Sequence, residues 1–342
     1  MPESVVVNKI FKLKLSIMKA RLLTLSIVLI ALIFNSCGSS NSTEDKEVSI
    51  SFSGAFALYP LVQKWAEEYN KIHPNIRFDI QAGGAGKGLT DAINGAVDVG
   101  MFSREITGAE KSKGIWWISL CKDAVLPTMN SQNPYREMLM LRGLKKEEFK
   151  YIFTENHPPT WDSIFKVNSA VRNPISVYTR ADAAGAADSW AAYFGKNQED
   201  LKGIGVAGDP GVADAVKKDK NGIGYNNTLF VYDMKTGEKI PGIEVVPIDV
   251  NGNGRIDSSE NIYQDLPTFL DALNEGKYPS PPARDLYFIT KGRPQNKVIM
   301  DFFEWVLKDG QKFVHTAGYV PLHREVINEQ LKKVSPSEAY GL

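Results

Sequence analysis

Cysteine is almost missing from this chain: Cys37 and Cys121 are the only two in 342 residues. That excludes a disulfide-stapled fold and leaves no cysteine-based metal or redox motif. Cys121 lies in the apolar run ISLCKDAVL and reads as a small buried hydrophobe. Histidine is nearly as scarce, and His73, His157, His315 and His323 show no ligand spacing. A charge excess is also absent, since 40 Lys and Arg meet 40 Asp and Glu. No basic stripe with interleaved aromatics appears, which argues against a nucleic-acid partner. No GxSxG motif or Ser-His-Asp pattern stands out, so no catalytic activity is expected. Paired acids such as Glu67-Glu68 and Glu147-Glu148 lie on amphipathic stretches and read as solvated faces. Repeats and low-complexity tracts are missing beyond the first fifty residues.

A membrane-spanning run is lacking as well. Arg21 to Phe34 offers 13 uncharged residues after its Arg, against roughly 20 for a spanning helix. Lys19 and Arg21 precede it and Asn35-Ser36-Cys37-Gly38 follow, which is the order of a secretory signal. Met18-Lys19 is the expected start of that signal. Gly38 to Glu47 is polar and suits a flexible tether. Removing residues 1–36 leaves 35 basic and 39 acidic residues, a net of −4. The remaining length is enough for two domains of ordinary size.

What is present is alternation. Val48 to Gly54 alternates apolar and polar residues and stops at glycine, as a strand does. Leu58, Leu61, Val62, Trp65, Ala66 and Tyr69 then recur at helical spacing, with Pro60 suited to a first turn. IRFDIQA reads as a strand, GGAGKG as a glycine loop, GLTDAINGAV as a helix and VDVGMF as a third strand. PISVYTRADAAGAADSWAAYFG repeats the strand–loop–helix arrangement, GVADAVKKDKNGIGYNN reads as helix, turn and strand, and Arg284 to Gly292 as a return strand. VIMDFFEWVLKDGQKFVHTAGYVPL is expected to be helical. Such alternation indicates an α/β fold whose ligands sit where loops open onto helix N-termini. The glycine loop is not a nucleotide P-loop, because position 81 is Gln and position 88 is Gly where Ser or Thr should stand.

Four segments, in this order, carry a resemblance that runs from Ile50 to about Leu331. They are SFSGAFALYPLVQKWAEEY, QAGGAGKGLTDAINGAVDVGMFSREI, YTRADAAGAADSW and AGYVPL. Together they resemble the phosphate-binding proteins of ABC importers. The resemblance implies a two-lobed, type II periplasmic-binding-protein fold, with two parallel or mixed sheets flanked by helices and a two-crossing hinge. Residues 48–126 with 287–342 would form lobe 1, and 127–286 lobe 2. It also implies a monomer that captures a small oxyanion and passes it to a membrane permease. Cys37 resembles the lipidated cysteine of bacterial lipoproteins, so residues 1–37 read as signal plus lipoprotein cysteine and 38–47 as the tether. The protein would then be exported and held at a membrane by a lipid anchor only.

Carried over residue by residue, the anion site would comprise Ala55, Phe56, Ala57, Ala85, Ser103, Arg104, Arg180, Asp182, Gly185 and Ala186. Arg180 supplies the charged donor fork; Asp182 is read as orienting it or as an Asx turn or helix cap, and Arg104 as an anion ligand or equally a surface or inter-domain charge. This chain departs from the family where hydroxyls are usual: alanine stands at 55, 57, 85, 184 and 186, and Phe at 56. A hydrogen bond to a charged group is worth roughly 1.5–3 kcal/mol, so backbone N–H groups and the remaining cations must carry the site. The ligand is thus phosphate, another oxyanion or a small anionic solute. The remaining possibility is a surface sensor or adhesion protein that has lost transport.

One motif stands apart. Asp249, Asn251, Asn253, Gly254, Arg255, Ile256, Asp257 and Glu260 match the 12-residue calcium loop at every ligand position. Asp249, Asn251, Asn253, Asp257 and Glu260 would bind through side chains and Arg255 through its carbonyl. The preceding IEVVPI reads as a strand, so this is a calcium loop without a full EF-hand, and a structural Ca2+ is expected.

Overall fold

In a computed structural model, residues 48–335 are described apart from 169 and 171. The signal segment, Cys37 and the tether lie outside the described residues. Ten strands form one connected sheet. β1 (Val48–Gly54) lies between β2 (Ile76–Ala82) and β3 (Val99–Phe102), parallel to both. β9 (Ala283–Lys291) runs antiparallel to β3 and to β4 (Ile115–Asn130). β4 then pairs antiparallel with β7 (Gly222–Asn227), which lies beside β5 (Ser176–Arg180) and through it β6 (Ile204–Val206). β8 (Ile243–Val245) and β10 (Val320–Pro321) each add to β4.

The α/β architecture implied by the resemblance is present, with one difference. The expected pair of sheets is joined through β4, which at 16 residues is much longer than an average strand of about 5–6. Buried apolar residues form two clusters. One gathers Ile50 to Cys121 with Leu286 to Val334, the other Ala124 to Ala283 with Val320. The backbone therefore passes between cores twice, once along β4 and once along β9, and both passages are hydrogen-bonded strands rather than loose linkers.

Local chemistry explains the elements that matter for the site. Phe52 and Ile50 point into the first core, as alternation requires. β1 must end at Gly54, whose φ is 136° and whose added Cβ would stand 2.2 Å from the Met101 carbonyl oxygen and 2.9 Å from Gly88 Cα. Only glycine lets this strand end and the next helix approach so closely. Helix Tyr59–Asn70 carries Pro60 in its first turn and buries Leu61, Val62, Trp65, Ala66 and Tyr69. Helix Ala85–Asn94 begins inside the glycine loop, so Ala85 to Gly88 form its first turn instead of a separate loop. Near the end, the long expected helix is shorter. Helix Lys297–Leu307 stops, and Asp309–Phe313 and His315–Ala317 are single tight turns before β10. Gly310 and Gly318 interrupt the helical pattern there. Among the described residues no helix is long and apolar enough to cross a membrane.

Candidate anion-binding site

Several helix N-termini meet around one arginine. Arg180 ends β5, and its side chain is only 1% exposed. Helix Gly185–Tyr193 starts five residues later, and helix Gly208–Lys218 starts after the neighbouring β6. From the other core, the loop 55–58 leads into helix Tyr59–Asn70, and helix Ala85–Asn94 opens with Gly84 as its N-cap. None of these four helices is capped by its own N-cap side chain, and only helix Gly208–Lys218 has its first N–H, that of Gly208, taken by a carboxylate, Asp182 Oδ1 at 3.1 Å. Uncapped N–H groups and the helix dipole favour an anion at such ends.

Contacts across the cleft hold these ends together. Gly86 N–H donates to the Ala183 carbonyl at 3.1 Å. A Cβ on Gly185 would fall 2.3 Å from Ser103 Oγ, so helix 185–193 abuts the end of β3 directly. Phe56 lies over the Arg180 guanidinium at 5.4 Å, and a Cβ on Gly208 would meet the same ring at 3.2 Å. Ala55, Phe56, Ala57, Ala85, Ser103, Arg180, Asp182, Gly185 and Ala186 thus lie on converging loops and helix starts. Ala55, Ala57, Ala85, Ser103 and Ala186 are buried. Ala55 N–H is taken by the Met101 carbonyl, whereas Phe56 and Ala57 N–H groups make no hydrogen bond among the described residues.

Arg104 has a different job here. Its guanidinium binds Glu110 at 2.6 and 3.0 Å, approaches Asp188 at 2.7 Å and stacks on Phe102 at 4.6 Å. It ties β3 to helix 185–193 and is spent on carboxylates. Lys87 is likewise engaged, by Asp91 and by Ser53 Oγ at 3.1 Å.

The electrostatics around Arg180 include a residue that sequence reasoning missed. Arg180 Nε donates to Asp182 Oδ1 at 2.8 Å and Nη2 to Asp182 Oδ2. Nη1 donates to Asp209 Oδ2 at 2.5 Å. Asp209 is 2% exposed, and its Oδ1 is a buried acceptor with no partner. Burial opposes charge on Arg180, but Asp209 and Asp182 outweigh it and hold the guanidinium above its ordinary pKa. The two acids shift in opposite directions. Burial pushes the Asp209 carboxyl up, with Arg180 only partly offsetting it. Burial also opposes charge on Asp182, yet Arg180 and the Gly208 N–H win and hold it below the usual carboxylate range. The difference follows from depth, since Asp182 is half-buried and Asp209 fully so. Asp209 sits 29 residues from Arg180, in the first turn of helix Gly208–Lys218. An Asp at a helix start is so ordinary that sequence offered no signal for it.

The loop 249–260 is folded tightly on itself. Asp249 Oδ1 accepts from Gly252 and Asn253 N–H at 2.7 and 3.1 Å, and Oδ2 from Gly254 N–H at 2.8 Å. Glu260 accepts from Val250, Asn251 and Asp257 N–H. Asp257 takes the amides of Asn251 and Asn253 and pairs with Arg255 at 2.9 Å. Among the described residues no three His, Cys, Asp or Glu side chains stand close enough together to hold a metal. Ile256 N–H donates to the Leu141 carbonyl at 2.9 Å, which joins the loop to helix Arg136–Arg142.

Comparison with known proteins adds the following. Residues 40–309 match the family model described as a PBP superfamily domain. A phosphate-binding protein PstS of Xylella fastidiosa is 24% identical, over 86% of this chain and 87% of its own length. The protein of the same name from Methanocaldococcus jannaschii is 26% identical, over 86% of this chain and 88% of its own. In three dimensions the chain is similar to a putative phosphate ABC transporter substrate-binding protein with bound phosphate from Clostridium perfringens. The TM-score is 0.64 at 20% identity, over 80% of this chain and all of the other.

Proposed function

The chain belongs to the PBP superfamily, and on that premise we propose that it captures phosphate or a related small oxyanion between its lobes and delivers it to an ABC permease. One observation carries this reading. The N–H groups of Phe56 and Ala57 make no hydrogen bond among the described residues, the Phe56 ring lies over buried Arg180, and Gly84 at the start of helix 85–94 abuts Asp182, the partner of Arg180. Backbone donors survive alanine substitution, so they can serve an anion where hydroxyls are missing. The PstS relatives support phosphate as the anion.

A second reading has its own observation. Arg180 is already shared by two carboxylates, and Gly86 N–H is spent on Ala183. An incoming trianion or dianion meets surplus negative charge here, which favours a different or protonated oxyanion. Calorimetric titration of the purified protein with phosphate, sulfate and molybdate separates the two. Phosphate heat that disappears in Arg180→Ala supports the first reading; heat only with another anion supports the second. No binding of any anion would leave the sensor or adhesion role.

The export reading and the lipid anchor on Cys37 belong to the same proposal, because a binding protein serving a permease must stay near its membrane. We also propose that loop 249–260 holds a structural Ca2+ through Asp249, Asn251, Asn253, Asp257, Glu260 and the Arg255 carbonyl. The support for this reading is the spacing of the ligand residues along the loop. At a calcium concentration a hundredfold above Kd, stabilisation should reach about 2.7 kcal/mol. A thermal melt with and without calcium reads this directly. The paired change Asp249→Ala with Glu260→Ala should remove the calcium response, and a persistent response would refute the loop.

A further inference from the structure

A cavity of about 770 Å3 opens between the lobes beside the Arg104–Asp188 pair. Its volume lies within the ~300–1,000 Å3 of ordinary small-molecule sites, and an inorganic oxyanion would leave most of it empty. One part of its wall is sheet. Asp285 and Tyr287 are two apart on β9 and so share a face. Lys122 of β4 is the direct cross-strand partner of Asp285.

These three side chains are half-buried, line the cavity and have no hydrogen-bond or ion-pair partner among the described residues. Unpaired polar groups at partial burial carry a desolvation cost that a ligand can recover. Elsewhere in the lining the charges are already matched. Arg104 is held by Glu110 and Asp188, Arg284 by Asp123, and Lys277 by Glu275. Without a close ion pair are Lys122 and Lys196 among the cations and Glu105 and Asp285 among the acids, Lys122 and Asp285 feeling each other's charge across the strands without a bond between them. The free charges cancel. A simple anion would satisfy Lys122 and be repelled by Asp285, and a simple cation the reverse. Leu273, Tyr278 and Ala192 supply an apolar wall nearby.

We propose that this cavity is a second ligand site, and that it takes a small zwitterion of the amino-acid type. Its carboxylate pairs with Lys122, its ammonium with Asp285, and its side chain lies toward Leu273 and Tyr278. The site does not depend on the oxyanion reading, because the cavity lining includes neither Arg180 nor any residue of the loops 55–58 and 85–88.

The test is calorimetric titration of the purified protein with glycine and L-leucine, and with succinate as a carboxylate lacking the ammonium. Amino-acid binding is expected, with succinate weaker by at least about tenfold. Lys122→Gln and Asp285→Asn should each weaken it by about tenfold or more, while the response to phosphate stays as in the wild type. Ala192→Trp, on an exposed wall position, should block the cavity without touching either core. No heat with either amino acid, equal binding of succinate, or undiminished binding in Ala192→Trp would overturn the proposal. Loss of phosphate binding in Arg180→Ala, with amino-acid binding intact, would show that the two sites are separate.

Discussion

Two buried arginines make different use of the same side chain. Arg284, at the start of β9, donates to Asp123 through Nε at 2.7 Å and Nη2 at 3.1 Å. It also reaches Asn227 Oδ1 and, at 3.3 Å, Ser189 Oγ. One cation meets one carboxylate, and neutral acceptors take the remaining donors. Asp123 and Arg284 face each other in register on β4 and β9, so this pair pins the two strands where the chain changes cores. Arg180 stands instead at the cleft, with two carboxylates and an aromatic face. Its neighbourhood carries a surplus negative charge, and Asp209 keeps one oxygen without a partner. A complete pair in the strand crossing is a fastening. An overcompensated cluster with an idle acceptor is a site whose charge balance something else can change.

Breaking the fastening should have the largest effect. Arg284→Ala leaves Asp123 buried and alone, which should cost about 3–5 kcal/mol in urea-unfolding free energy. A loss below about 1 kcal/mol, the range of exposed pairs, would erase the distinction drawn here. Arg180→Ala should cost less stability, about 1–3 kcal/mol, because one of its two carboxylates, Asp182, is only half-buried and solvent can reach it. Its main effect should be loss of anion binding. Asp209→Asn sharpens the contrast from the other side. It removes the surplus charge and should raise anion affinity by about tenfold, the worth of about 1.4 kcal/mol, as read by calorimetry. Weaker binding in Asp209→Asn would mean that the idle oxygen holds the ligand.

The smallest expected effect is in pH. Asp182 has a folded pKa below its ordinary value, so its contribution to stability is present above the unfolded pKa and is lost as pH falls through the folded one. Asp209 has a raised folded pKa, so its charged form costs stability above that pKa, and the cost fades as pH falls through it. The acid limb of the wild-type stability profile should therefore flatten in Asp182→Asn and steepen in Asp209→Asn. Parallel profiles for all three proteins would show that neither carboxylate is shifted in the manner described.

Much of this was legible in the sequence. Alternating strands and amphipathic helices gave the α/β class, because each element announces itself within ten residues. Arg180 and Asp182 are two positions apart, so their pairing is a local matter. Residues 298–322 hold less helix than their apolar pattern suggests, since the glycines at 310 and 318 break it. The place of Arg104 after β3 suits either an anion ligand or an inter-domain charge. Its engagement with Asp188 became visible only once β3 and helix 185–193 were brought together.

The sequence by itself determined the elements, the glycine-marked loops, the arginine at the centre and the calcium-type spacing of 249–260. These depend on neighbours along the chain and on φ values that few residues tolerate. Tertiary structure alone decided how the charges are shared. Asp209 finds Arg180 across 29 positions, Asp123 finds Arg284 across 161, and Lys122 is left facing Asp285 without an ion pair. Burial sets the energy of each of these groups, and burial is a property of the packed molecule, which no local run of residues contains.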